Sequence, residues 1–162
     1  MVITRLTWRL GAWIIAAPLI APALAQEAYV TVDRPGSERR MVADADLLAA
    51  AAAGVAPPVG STITMTSGDL VFYLRRGVDG WRYGTVIAGR PLGPGGDDRS
   101  CAFCHARAAD RGGVFTWPSL VRRAAGGAPE RITCTETGRT PCAPATYEAS
   151  TGGPAPGHSP PR

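Results

Sequence analysis

The chain contains no lysine; all 17 of its basic residues are arginine. Any chemistry that needs a lysine amine, a Schiff base or a lysine cross-link included, is therefore excluded. Histidine is almost as scarce, with two residues, so a multi-ligand Cys/His metal cluster is hard to assemble. No run of basic residues is interleaved with aromatics. The Arg pairs at 39–40, 75–76 and 122–123 are scattered, and thirteen acidic residues come close to balancing the arginines. That pattern argues against nucleic acid as a partner. Planar guanidinium groups remain well suited to pairing with carboxylates.

Long apolar runs are also missing beyond the first 25 residues. Leu10 to Ile20 is apolar, follows a basic stretch holding Arg5 and Arg9, is interrupted by Pro18 and is followed by Pro22. It is short for a membrane span. Ala23-Leu24-Ala25 has the small-x-small form of a cleavage site. Residues 1–25 therefore read as a secretory signal peptide with cleavage before Gln26. Export to the periplasm is expected, with no stable membrane span left after cleavage. That compartment permits disulfides.

Cysteine is limited to four residues, in two pairs. Cys101-Ala102-Phe103-Cys104-His105 is a C-x-x-C-H motif, the attachment signature of c-type haem. Two thiols one helical turn apart can add to two vinyl groups on one porphyrin, and the adjacent imidazole can then bind the iron axially. Cys101 and Cys104 are thus the expected attachment points and His105 the metal ligand. A thioredoxin-like redox pair expects a βαβ setting, which is not seen in this sequence. A zinc site needs two more nearby ligands. Cys134 and Cys142, with seven residues between them, do not have zinc-knuckle spacing and are expected to bridge as a disulfide.

The periodicity places secondary structure around the motif. Residues 27–33 alternate as a strand, Arg34 to Ser37 turns, and Arg40 to Ala43 is extended. Asp44 caps a helix over Ala45 to Ala53, and Gly54 stops it. Ser61 to Thr66, Leu70 to Arg75 and Trp81 to Ala88 form an antiparallel meander. Asp97, Asp98 and Ser100 supply helix-start chemistry just before Cys101. A second short helix is expected from Trp117 to Arg123, and a hairpin-like loop from Ile132 to Cys142. The expected fold is α+β: an antiparallel sheet with flanking short helices and a C-terminal haem c motif. The domain would run over residues 26–148, and the Gly/Pro/Ser-rich segment 149–162 is expected to be disordered.

Cys101-Ala102-Phe103-Cys104-His105, followed by Asp110 and then Val114-Phe115-Thr116, resembles the cytochrome P460 family and its relatives, the cytochromes c′-beta. The Ala-rich helix leading through Pro57-Pro58-Val59-Gly60-Ser61 into a strand is similar to that family's approach to its sheet. The resemblance spans roughly residues 38–118. It implies one covalent haem c on an antiparallel sheet. Cytochromes P460 oxidise hydroxylamine with a lysine-linked haem, and this chain has no lysine to form that link. Cytochromes c′-beta bind NO and CO at an open iron position capped by Phe. Phe72 is the expected cap, with Phe103 and Phe115 as alternatives.

An open sixth position is expected, with Met41, Met65 and His158 as the residues able to fill it. Met ligation would favour electron transfer. The function expected is small-ligand binding or single-electron transfer, with small diatomic molecules or a redox protein as partners and a homodimer allowed. The alternatives are an oxidoreductase acting on hydroxylamine or a related nitrogen compound, and a haem-free disulfide-stapled binding domain. Asp69, Asp79 and Glu136 are the available acids and bases for the oxidoreductase, with nothing to single one out.

Overall fold

A computed structural model describes residues 27–92, 98–138 and 141–151. The fold is α+β. Among the described residues it has one seven-stranded sheet and four short α-helices. The first two strands are β1 (Val30–Arg34) and β2 (Ser37–Ala43), joined by the tight Pro35-Gly36 turn. Helix α1 (Ala45–Ala53) follows. Its limits are fixed by local chemistry: Asp44 accepts from the Leu47 amide at 2.8 Å, and Gly54 closes the helix in the left-handed region.

The meander comes next: β3 (Thr62–Ser67), β4 (Leu70–Gly77) and β5 (Gly80–Ile87), then the two-residue β6 (Arg90–Pro91). Helix α2 (Arg99–His105) carries the cysteine motif and runs into a 3-10 helix, Ala106–Arg111. Then come α3 (Trp117–Ala124), β7 (Glu130–Thr133) and α4 (Pro144–Thr151).

The sheet order is β6-β5-β4-β3-β2-β1-β7. All pairings are antiparallel except β1 with β7, which is parallel. The sheet is therefore mixed, not purely antiparallel as expected. The hairpin expected over 132–142 is corrected too. Its first arm adds to the edge of β1 (Val32 opposite Ile132), and the chain after it closes through the Cys134–Cys142 disulfide. The expected tail from 149 starts too early, because α4 continues to a fully buried Thr151. The segment 1–25 expected to be a signal, and residues 152–162, lie outside the described residues.

Strand pairing lines up rows of side chains across one face. Val30, Met41, Met65, Phe72 and Thr85 form one row. Ala43, Ile63, Leu74 and Tyr83 form the next. Successive residues of a strand alternate faces, so these positions, two apart on each strand, share a side. The core lies there: Met41, Ile63 and Met65 pack in one cluster with Val114, Phe115, Trp117, Leu120 and Tyr147. No helix among the described residues is long and apolar enough to cross a membrane.

Candidate functional site

The cysteine motif is held at its start by Asp98, whose side chain accepts from the Ser100 amide at 2.9 Å. The Ser100 hydroxyl and amide hold the Asp98 carboxyl below the usual range. Helix α2 then presents Cys101 half-buried and Cys104 exposed, both as free cysteines. Burial first, then the Asp98 charge, pushes the Cys101 thiol up to about 11. A low-pKa nucleophilic cysteine of the thioredoxin kind is the opposite case.

His105 ends the helix and is fixed on three sides. Its Nδ1 lies 2.7 Å from the Gly113 carbonyl oxygen. A carbonyl only accepts, so Nδ1 carries the proton and Nε2 keeps its lone pair. The Tyr83 ring lies against the imidazole at 4.4 Å between centroids, and Phe115 at 5.2 Å. Burial lowers the His105 pKa, and the Gly113 bond acts in the opposite direction. A neutral, Nδ1-anchored imidazole is the form that binds metal, and a backbone carbonyl on the other nitrogen is the usual outer-shell partner.

Gly113 makes this possible. Its φ of +83° belongs to the left-handed region, and a Cβ there would lie 2.7 Å from the Tyr83 hydroxyl. The Tyr83 hydroxyl donates to the same Gly113 carbonyl at 3.3 Å. Burial, then the nearby Cys101, pushes the Tyr83 phenol up to about 12, so it stays a neutral donor.

Cys101 and His105 open onto a cleft of about 600 Å³, counted to its mouth. The sheet face supplies Met41, Ile63, Met65, Phe72 and Leu74, and the opposite side supplies Val114, Phe115 and Tyr147. The lining is predominantly apolar.

The expected site residues divide clearly. Phe72 is in the cleft wall, with the buried Arg39 guanidinium 5.6 Å from its ring centre. Phe115 also lines the cleft but packs on His105 itself. Phe103 is 83% exposed and is not among the cleft residues, which removes it as a cap. Met41 and Met65 face each other across β2 and β3, and both line the cleft. The Tyr147 hydroxyl points to Met65 Sδ at 3.9 Å. His158 lies outside the described residues. Asp69 and Asp79 are exposed in the strand turns, and Glu136 belongs to the disulfide loop; none of them lines the cleft.

Cys134, Glu136 and Cys142 cluster closely enough to hold a metal ion, but the two sulfurs are joined to each other. Three residues of the site were not picked out from sequence. Tyr147 sits in a segment with no clear period. Tyr83 falls within the expected strand Trp81 to Ala88, with no role signalled. The Gly113 carbonyl is a backbone group, for which only the glycine itself is a sign.

Compared with protein-family models, with curated proteins and with solved structures, the chain finds no match.

Proposed function

We propose that the chain is a periplasmic mono-haem c-type cytochrome, of the P460 and c′-beta type, that binds small ligands such as NO or CO or passes single electrons. The observation that carries this reading is the setting of His105. Its Nδ1 is tied to Gly113 at 2.7 Å, its Nε2 is left available, and it follows two free cysteines one turn apart, of which Cys101 lines an apolar cleft with it. Cys101 and Cys104 would hold the haem and His105 its iron. The bound haem supplies an iron able to take a diatomic ligand or one electron.

The protein's own residues supply the rest. Gly113, Tyr83 and Phe115 orient the imidazole. Met41, Ile63, Leu74 and Phe72 present a face that excludes water. An open sixth position is supported by the Tyr147 hydroxyl, which engages Met65 Sδ. Phe72 is the residue proposed to crowd that position. Hydroxylamine oxidation is less well supported: no lysine exists to cross-link the haem, and Asp69, Asp79 and Glu136 stand away from the cleft.

The test is the visible spectrum of the protein exported alongside a haem-attachment system. Haem that survives denaturation in the wild type, and is lost in Cys101→Ala/Cys104→Ala, is the expected result. The gas-free ferrous form should be high-spin and shift with CO or NO. Protein exported without colour would overturn the reading. A low-spin spectrum indifferent to gas would overturn the open site and put a protein ligand, Met65 first, on the iron.

A further inference from the structure

We propose that Tyr83 is a positioning residue for His105 and tunes how strongly the imidazole donates to its iron, by competing for the one carbonyl that anchors it. This rests on the haem reading above. The Gly113 oxygen accepts two donors at once: His105 Nδ1 at 2.7 Å and the Tyr83 hydroxyl at 3.3 Å. A carbonyl has two lone pairs and can hold both. They are not independent, however. Each donor withdraws electron density from the shared oxygen and makes it a poorer acceptor for the other. The lengths match this competition. The imidazole takes the short bond, and the phenol takes one longer than the ordinary O–H···O range.

The hydrogen bond on the non-ligating nitrogen sets the basicity of the ligating one. A strong Nδ1–H···O bond pushes the ring toward imidazolate and favours ferric iron. A weakened one leaves a more neutral ligand and favours ferrous iron. Tyr83 therefore holds His105 at the less basic end. Its ring also lies against the imidazole, tilted by 35° with centroids 4.4 Å apart, so rotation about the Nδ1 anchor is restricted. Gly113 completes the arrangement: any side chain there would meet the Tyr83 hydroxyl.

Tyr83→Phe isolates the effect, since it keeps the ring and removes only the donor. In haem-loaded protein, the resonance Raman iron–histidine stretch of the gas-free ferrous form should move to higher frequency. The reduction potential should move lower. A merely packing role would leave both where they are in the wild type, and unchanged values, or shifts of opposite sign, would overturn the proposal. A wild type with no iron–histidine stretch at all would instead overturn the haem reading beneath it. A second measurement does not depend on iron. In haem-free protein, the His105 Nδ1 proton resonance should move downfield in Tyr83→Phe as its bond to Gly113 shortens. A resonance that stays in place would overturn the shared-acceptor argument by itself.

Discussion

At Gly113 two constraints meet in a single residue. The backbone has a φ of +83°, and the space where a side chain would start is occupied by the Tyr83 hydroxyl, 2.7 Å away. An L-residue forced into the left-handed region costs about 1–2 kcal/mol before any clash is counted. Gly113→Ala should therefore lower stability by at least that amount in denaturant titration. It should also loosen the His105 anchor. The clash part is separable. With the hydroxyl removed by Tyr83→Phe, the same Gly113→Ala change should cost less, and the two substitutions should couple by about 0.5 kcal/mol or more. Strict additivity would mean that the hydroxyl and the missing Cβ do not compete for that space. Phe72 poses a different question at the same scale. If it crowds the ligand position, Phe72→Ala should speed CO association in flash photolysis; an unchanged rate would remove it as a cap.

Among the elements, α1 shows how far local chemistry reaches. Asp44 accepts from Leu47 at its own helix start and also from the Thr62 amide and hydroxyl at the start of β3. One carboxylate thus caps a helix and ties it to the sheet. Asp44→Ala should cost about 1–2 kcal/mol in thermal or denaturant unfolding, the upper end reflecting the second tie. Asp44→Asn should recover most of the cap. The disulfide acts on a loop in a similar way. It closes the chain between Cys134 and Cys142, eight positions apart with Cα atoms 6.0 Å from each other. The loop also carries the Glu136 carbonyl that accepts from Arg34 at 2.7 Å, and Pro141 at the cleft. Closing a loop of that length stabilises by about 2.5 kcal/mol in the chain-entropy account. Cys134→Ser/Cys142→Ser should be less stable by that order; a null effect would mean that the loop is already confined by its contacts.

These same elements show what could be read in advance. Helix α1 was readable to its end residues because Asp44 and Gly54 act on their own neighbours. The meander was readable because short turns impose antiparallel pairing. Strand β7 was not, because its partner residues on β1 lie 100 positions away, as for Val30 opposite Glu130, and nothing local fixes a parallel register. Cys101, Cys104 and His105 were singled out as candidates from spacing alone. The Gly113 carbonyl was hidden because an acceptor on the backbone leaves no residue-type signature. Tyr147 was hidden because α4 lacks a marked apolar stripe.

At the scale of the whole molecule, the parts of the site differ in how firmly the rest of the protein supports them. The sheet wall belongs to the core: Met41, Ile63 and Met65 are all buried. Helix α2 is different. None of its seven residues is buried, and Phe103 at its centre is 83% exposed. Isolated helices of that length are unstable in water, so packing must supply what propensity does not. Its contacts include the Asp98 cap, the Asp98 amide donating to the Tyr83 carbonyl at 2.7 Å, and the His105 ring between Tyr83 and Phe115. Two thioethers and an axial bond would add three attachments to one side of this helix, along with a large apolar surface filling the cleft. Hydrogen exchange should therefore separate the two regions. In protein exported without haem attachment, amides of β2 to β5 should stay protected while those of α2 exchange within the dead time. With haem attached, α2 should become protected by several orders of magnitude, and the central strands should change little. Equal protection of α2 in both forms would mean that the cap and the His105 ring contacts suffice, and that the proposed haem is not needed to complete the fold.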